Sequence, residues 1–270
     1  MPQDGHAPKR HPVLLTVKTI TDLSPNYRRI CFTSEQLAHY PECSNGAHIK
    51  LMLAKPEQQQ PVLPDMTPTG PKWQSPEDKP ILRTFSIRQL RSEQHEIDID
   101  FALHGEIGPA SRFALTAKPG DHVGISPPGG PHPMRKPAEY YYIAGDLTAQ
   151  PAISAMIEEM PAASQGYVAI QVSDARDIQD IACPPNLALR WFIGKPDETA
   201  PLIDSFRQQA LTTENSYFWF GGEESIVLGL RRWARNELDV NRQQIYAIPY
   251  WRYGKDEDSY HTQRHQHTDK

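Results

Sequence analysis

The short run Arg83-Thr84-Phe85-Ser86-Ile87-Arg88 combines residue types that bind phosphate and flat aromatic groups. It lies in an apolar, β-type stretch from Leu82 to Leu90. Side chains two positions apart share a strand face, so Arg83 and Phe85 are expected to point the same way. A guanidinium pairs with phosphate and a ring lies along a flat ligand, which together describe a flavin nucleotide. An ordinary strand with two solvated arginines is the alternative that this run alone leaves open.

A second candidate anion site follows one strand later. Gly108 and Pro109 are predicted to open a short helix from Pro109 to Ala117, because proline is favoured in the first helical turn. The free amides at a helix start bind anions, and Ser111 and Arg112 would add side-chain donors. The alternative is a helix that begins with Gly-Pro and has no ligand. Its position after the Arg83 strand favours a second contact to the same phosphates.

The composition limits the classes of protein to consider. The chain has 270 residues, enough for two domains, and its net charge of −5 argues against a general nucleic-acid binder. Its three cysteines form no C-x-x-C motif, so neither a disulfide scaffold nor a structural metal is expected. The first residues contain no apolar signal, and no apolar run reaches the ~18 residues of a membrane span. A cytoplasmic protein without membrane insertion is therefore predicted.

The first half of the chain reads as a closed antiparallel β-barrel, because short strands alternate with turn signals. Residues 55–80 contain many Pro and Gln without periodicity and are expected to form a long surface loop. The last of the strands before the helix alternates apolar residues with Asp98 and Asp100, as a half-buried strand does. The predicted strands are Val13–Ile20, Tyr27–Phe32, Ala47–Leu53, Leu82–Leu90 and His95–Leu103.

From Glu139 onward the predicted strands alternate with helices, which specifies a parallel, doubly wound sheet. Ligands of such sheets bind beyond the carboxyl ends of the strands. Two glycine-containing loops are expected there, Gly145–Ala149 and Gly221–Glu224, although neither is a G-x-G-x-x-G motif. Plain strand-to-helix turns are the alternative. The predicted segments are Tyr140–Ala144, Thr148–Met160, Tyr167–Val172, Ala188–Ile193, Thr199–Leu211, Ser216–Phe220, Glu223–Glu237 and Gln244–Ile248.

A flavin barrel followed by a parallel nucleotide-binding domain is the plan of the ferredoxin-reductase-like enzymes. Over about Val13 to Tyr260 the sequence resembles one branch of them, the siderophore-interacting proteins, which are ferric-siderophore reductases. Phe85 replaces the family's usual Tyr, and Pro249 replaces a usual Gly. The matching blocks are Arg83–Arg88, Asp100–Gly105 with Gly108–Arg112, Ala144–Ile153, Gly222-Glu223 and Tyr250–Gly254.

The resemblance implies an all-β plus α/β protein of two domains. A six-stranded antiparallel FAD-binding barrel is expected over residues 13–133 and a Rossmann-like NAD(P)H-binding domain over 138–260. A disordered N-terminus, 1–12, and a His-rich polar tail, 261–270, are expected to flank them.

The resemblance also implies which residues bind the cofactors. Arg83 would contact the FAD pyrophosphate, Phe85 would pack on the isoalloxazine and Ser86 would approach its N5 atom. By strand alternation Ser86 points away from Phe85, so a twist, a bulge or its backbone amide is required. His104 has an ordinary strand-end role as its alternative. The expected cofactor-binding residues are Arg83, Thr84, Phe85, Ser86, Arg88, Leu103, His104, Gly108, Pro109, Ala110, Ser111, Asp146, Thr148 and Ala149.

The electron donor implied by the resemblance is NADPH or NADH, which would enter over Asp146, Thr148 and Ala149. Arg176 is suited to a 2′-phosphate and Asp174 to a ribose hydroxyl, and Arg176 favours NADPH. Reduced ferredoxin is an alternative donor. The cofactors carry the redox chemistry, so no catalytic side chain and no protein metal ligand is expected.

The expected substrate is a ferric siderophore, which loses its iron when Fe(III) is reduced to Fe(II). Many such chelates are anionic, so an acidic protein needs local cations to bind them. Lys50, Arg252 and Lys255 are the candidates, with His261 as a further one, and solvated surface charge is the alternative for each. A monomer is expected.

Two other functions remain open at this point. One is a general NAD(P)H:flavin or ferredoxin-type reductase without a siderophore site. The other is a siderophore-binding protein that does not transfer electrons.

Overall fold

The structure is a computed structural model that describes residues 11–104 and 108–255. The chain divides into two compact units, the first ending at Met134 and the second beginning at Arg135. Most of the expected N-terminal segment and the whole expected His-rich tail, with His261, lie outside the described residues. Among the helices that are described, none has the length and apolar character needed to cross a membrane.

The first unit is a six-stranded antiparallel barrel, as predicted. Its elements are β1 (Val13–Ser24), β2 (Tyr27–Thr33), β3 (His48–Leu53), β4 (Asp65–Thr67), β5 (Gly70–Lys72), β6 (Ile81–Arg91), β7 (Glu96–Ala102), α1 (Pro109–Thr116) and β8 (His122–Ile125). The closed barrel has the strand order β1-β2-β7-β6-β3-β8.

The alternation of side chains explains why these strands close on themselves. Leu15, Ile30, Ile49, Ile99 and Val123, one from each of five barrel strands, are fully buried in one core. Each buried apolar side chain contributes roughly 1.5–3 kcal/mol to folding. A barrel lets every strand bury one face without leaving an open sheet edge.

The segment between β3 and β6 contains structure that the sequence prediction missed. A small hairpin, β4 with β5, occupies its middle, within the segment that was expected to be a long surface loop. The Trp73 indole donates a hydrogen bond to the Val62 carbonyl over 2.9 Å, and the Lys79 ammonium lies 5.9 Å from the Trp73 ring centroid. Strands of three residues are too short to show a period of two.

Strand β7 is buried on both faces, which corrects the expectation of a half-buried strand. Asp98 and Asp100 are 6% and 3% exposed. Arg91 pairs with Asp98 at 2.7 Å and Arg29 pairs with Asp100 at 2.6 Å. Burial raises the pKa of Asp98, but the hydrogen bonds and charge of Arg91 outweigh it, so the pKa is lowered overall. The carboxylates are therefore buried as ion pairs.

The second unit is a parallel α/β sheet, also as predicted. Its elements are β9 (Tyr140–Asp146), α2 (Gln150–Glu158), β10 (Gln165–Val172), β11 (Asn186–Ile193), α3 (Ala200–Arg207), β12 (Ser216–Glu223), α4 (Glu224–Asn236) and β13 (Ile245–Trp251). The sheet order is β11-β10-β9-β12-β13, and every neighbouring pair is parallel.

Pro249 lies inside edge strand β13 rather than in a loop. It is buried and pairs with Gly222 of β12, immediately before the register shifts at Glu223 and Trp251. Proline is tolerated at edge strands and bulges because it has no N–H to donate. The replacement of the family's usual glycine is therefore accommodated within the strand.

Candidate functional site

Arg83 and Phe85 share one face of β6, as alternation predicts. Phe85 pairs with Ile49 of β3 and Arg83 pairs with Leu51, and both β3 partners are fully buried. The Phe85 ring packs against Phe101 with 4.7 Å between the ring centroids. Arg83 donates from Nη1 to the neighbouring Leu82 carbonyl over 2.8 Å. Both side chains stay partly exposed, so a guanidinium and part of an aromatic ring are accessible together.

Thr84 and Ser86 lie on the opposite face of β6. Thr84 pairs with Lys50 of β3, and the Lys50 ammonium donates a hydrogen bond to the Thr84 hydroxyl over 2.7 Å. Ser86 pairs with His48 and is 7% exposed. The register is continuous through these pairs, so no bulge between them turns the Ser86 hydroxyl toward the face of Phe85.

Arg88 contacts a protein carboxylate. The register of β6 against β7 shifts between Ile87 and Gln89, and Arg88 lies at this bulge with its Nε 3.9 Å from Asp100 Oδ2. The same carboxylate accepts hydrogen bonds from Arg29 at 2.6 and 2.8 Å and from the Tyr27 hydroxyl at 3.1 Å. Burial raises the pKa of Tyr27 well above its ordinary value, so its phenol remains a donor. Arg88 thus belongs to a buried ion cluster.

The start of α1 is closely packed against the end of β7. The His104 backbone N–H donates to the Ser111 hydroxyl over 3.2 Å, and Ser111 is 2% exposed. A Cβ at Gly108 would lie 3.0 Å from His104 Cε1, so a larger residue would displace the imidazole. Leu103 is half-buried before this turn, and Pro109 and Ala110 form the first helical turn after it.

In the second unit Asp146 is the centre of the predicted nucleotide loops. It is 8% exposed at the carboxyl end of β9. Burial raises its pKa, and the hydrogen bonds that it accepts oppose that rise. The donors are the Thr148 amide (2.8 Å) and hydroxyl (2.5 Å), the Ala149 amide (3.3 Å), the Glu223 amide (2.7 Å) and the Trp251 indole (2.7 Å).

A second buried carboxylate lies beside the first. Glu223 is 2% exposed and accepts hydrogen bonds from the Ser225 amide at 2.5 Å and the Tyr253 amide at 3.1 Å. The candidate substrate residue Arg252 pairs through Nε with Glu224 Oε2 at 3.2 Å, and its side chain remains 47% exposed. Lys255, the other candidate in this unit, is exposed.

One family model, a siderophore-interacting FAD-binding domain, matches residues 16–132, and a second, siderophore-interacting protein, matches residues 138–254. The chain belongs to the siderophore-interacting protein family.

Individual relatives cover nearly the whole chain. Ferric vibriobactin reductase ViuB of Vibrio cholerae is 38% identical, covering 94% of this chain and 94% of that protein. The NADPH-dependent ferric-chelate reductase of Escherichia coli is 29% identical, covering 88% and 91%. The crystal structure of the siderophore-interacting protein SipS from Aeromonas hydrophila has a TM-score of 0.88 at 53% identity, covering 97% and 99%.

More distant structures agree in fold. Phthalate dioxygenase reductase is 13% identical, with a TM-score of 0.59 over 90% of this chain and 68% of its own. A likeness at this identity shows the fold alone, and it confirms the predicted ferredoxin-reductase-like architecture.

The first unit of this siderophore-interacting protein fits an FAD molecule. Arg83 and the amides at the start of α1 are suited to its pyrophosphate, and the exposed part of the Phe85 ring is suited to its isoalloxazine. The absence of a Cβ at Gly108 allows the His104 imidazole to lie against the helix start.

The residues expected to select the nicotinamide donor are bonded to each other. Arg176 pairs with Asp174 through Nη2 at 2.5 Å and Nε at 3.0 Å, two residues apart after β10. Hydrogen bonds from Arg176 lower the pKa of Asp174 to about 2. A 2′-phosphate would therefore compete with the Asp174 carboxylate for Arg176.

Sequence reasoning missed Glu223 and Trp251 as residues that organise the site. Both stood in blocks that were recognised, Gly222-Glu223 and Tyr250–Gly254, but nothing local shows that they meet Asp146.

Proposed function

We propose that this protein is a cytoplasmic ferric-siderophore reductase, which passes electrons from NADPH or NADH through FAD to Fe(III) in an anionic siderophore and releases Fe(II). When bound, FAD takes two electrons from the nicotinamide and can pass them on singly. The protein's own residues bind and orient the cofactor, the donor and the iron chelate.

The observation that carries the proposal is the position of Lys50. Its ammonium lies 2.7 Å from the Thr84 hydroxyl, in the middle of the strand that presents Arg83 and Phe85. The cation lies on the face of the ladder that carries Thr84 and Ser86, opposite the Phe85 ring. Ser86 is the residue expected to approach the flavin N5, so a cation on this face attracts an anionic chelate toward the redox-active edge of the flavin.

The chemistry of iron explains why reduction releases it. Siderophores bind Fe(III) through hard oxygen donors, and the larger, less charged Fe(II) is bound by them much more weakly. One electron is therefore enough to free the metal. The chelate itself carries the iron to the protein, so no protein ligand to the metal is needed.

Two observations favour NADPH over NADH as the donor. The relative from Escherichia coli is named an NADPH-dependent enzyme, and Arg176 offers a guanidinium after the second strand of the parallel sheet. Such a residue accommodates a 2′-phosphate in nucleotide-binding sheets of this type.

An anaerobic titration tests the function. Purified protein should show the visible absorption bands of FAD, which should bleach on addition of NADPH and return when a ferric tris-catecholate is added, with Fe(II) appearing in a colorimetric assay. Bleaching without Fe(II) formation would indicate a general flavin reductase. FAD bands that NADPH, NADH and reduced ferredoxin all leave unchanged would indicate a siderophore-binding protein without electron transfer.

Replacing Lys50 tests the basic site directly. Lys50→Ala should raise KM for a ferric tris-catecholate about fivefold, because a part-buried cation contributes on the order of 1 kcal/mol to binding an anion. The FAD content should stay the same. Lys72→Ala, an exposed lysine on β5, is the matched control. An unchanged KM for several anionic ferric chelates in Lys50→Ala would remove Lys50 from the site.

A further inference from the structure

We propose that Asp146 and Trp251 are positioning residues that hold the basic turn from Arg252 to Lys255 in place for the anionic iron chelate. This inference rests on the proposed function. It assigns Asp146 to the substrate side of the reaction, although the sequence motif around it suggests a contact with the nicotinamide dinucleotide.

The Asp146 carboxylate has no capacity left for a ligand. An ionised carboxylate offers about four lone-pair positions. The five donors from Thr148, Ala149, Glu223 and Trp251 lie between 2.5 and 3.3 Å from its oxygens. A nicotinamide amide or ribose hydroxyl would have to displace one of these internal donors.

The donors come from three separate places in the second unit. Thr148 and Ala149 follow β9, Glu223 ends β12, and Trp251 ends β13, 105 residues beyond Asp146. The approach is close enough that a Cβ at Gly222 would lie 2.8 Å from Asp146 Cγ. One buried carboxylate therefore joins the carboxyl ends of three neighbouring strands.

Arg252 is held in place by contacts of its two neighbours in the chain and by an ion pair of its own side chain. Its predecessor, Trp251, donates its indole N–H to Asp146, and its successor, Tyr253, donates its amide to Glu223 at 3.1 Å. The guanidinium pairs with Glu224 at 3.2 Å. Three acidic residues thus determine where a half-exposed arginine points.

Lys255 belongs to the same turn. Its amide donates to the Arg252 carbonyl over 3.1 Å, so the position of Arg252 also sets the position of the second cation. Loss of the Trp251 hydrogen bond should let this turn move away from β12. The side chains of Arg252 and Lys255 would then be less well ordered, and the anionic chelate would bind them more weakly.

Trp251→Phe is the decisive variant, because it removes the indole N–H and keeps an aromatic ring. KM for a ferric tris-catecholate should rise about fivefold. This change corresponds to the loss of on the order of 1 kcal/mol of binding free energy, the contribution of one hydrogen bond that orders the turn. KM for NADPH should stay within about twofold of the unmutated value. The dependence of the chelate KM on ionic strength should also become shallower, since fewer cations would act on the chelate.

Asp146→Asn gives a second, independent test. The new amide NH₂ would face an N–H group that now donates to an Asp146 oxygen, so that buried donor would lose its acceptor. The chelate KM should therefore rise about tenfold. Trp191→Phe, on edge strand β11 of the same sheet, is the matched control and should leave the chelate KM unchanged.

The outcomes separate this inference from the proposed function. If the unmutated protein forms no Fe(II) from the chelate, the proposed function fails. If it does, and Trp251→Phe and Asp146→Asn both keep its chelate KM, the inference alone is overturned. A rise in KM for NADPH in these variants, with the chelate KM unchanged, would also overturn it and would place Asp146 on the nicotinamide side.

Discussion

Arg83→Ala should weaken FAD binding by about 10- to 100-fold, so that the purified variant has lost most of its flavin colour. A hydrogen bond between charged partners contributes roughly 1.5–3 kcal/mol, and this guanidinium is the one suited to the pyrophosphate. Arg83 lies on the same face of β6 as the Phe85 ring, with a partly exposed side chain. Its removal leaves the β-ladder intact, because that ladder is made by the backbone. The measurement is the Kd for FAD by fluorescence quenching.

Two further variants separate the charge from the fold. Arg83→Lys should recover only part of the affinity, because an ammonium cannot form two parallel hydrogen bonds to a phosphate. Lys118→Ala removes an exposed cation of the same unit, 79% exposed, and should keep its FAD. If Arg83→Ala bound FAD as tightly as Lys118→Ala, Arg83 would not contact the pyrophosphate.

The sequence was sufficient where a pattern is local. Strand β2 was expected at Tyr27–Phe32 and is found at Tyr27–Thr33. The expectation that Arg83 and Phe85 share a face needed only the period of a strand, and the register of β6 against β3 confirms it. The change from β-rich to alternating segments predicted both the barrel and the parallel sheet. These features depend on residues a few positions apart.

The sequence did not predict the burial of side chains whose ion-pair partners lie on other strands. Asp98 and Asp100 were expected to face solvent, because carboxylates seldom lie in a core. They are buried because Arg91 and Arg29 lie against them. Arg29 is 71 residues away from Asp100, whereas Arg91 is seven residues from Asp98, on the neighbouring strand. Arg88 contacts Asp100 at a bulge in β6, and no local sequence pattern predicts that bulge.

The loop around Asp146 shows the same limit at the candidate site. The sequence showed its glycines and its position after a strand, and these features predicted a contact with a nucleotide. The partners that satisfy its carboxylate, Glu223 and Trp251, are 77 and 105 residues away. A motif fixes which residues are present, whereas the role of a buried carboxylate depends on every donor that reaches it.

Gly222→Ala should destabilise the second unit by about 3–5 kcal/mol, because a β-carbon there is strained twice. The φ angle of Gly222 is +110°, a region that residues with a Cβ rarely adopt. The new methyl would also lie 2.8 Å from Asp146 Cγ and displace a carboxylate that five donors surround. Urea unfolding followed by tryptophan fluorescence measures the loss, since four of the five tryptophans lie in this unit.

Gly254→Ala is the matched control for the backbone effect. Gly254 also has a positive φ, +75°, but nothing lies within 4 Å of the position of its Cβ. This variant should lose at most about 1–2 kcal/mol, the cost of a left-handed residue alone. The difference between the two variants then measures the contact with Asp146. If both variants lost the same free energy of unfolding, the position of the Asp146 carboxylate would not depend on the missing Cβ at Gly222. The claim that Asp146 joins the ends of three strands in close contact would then be wrong.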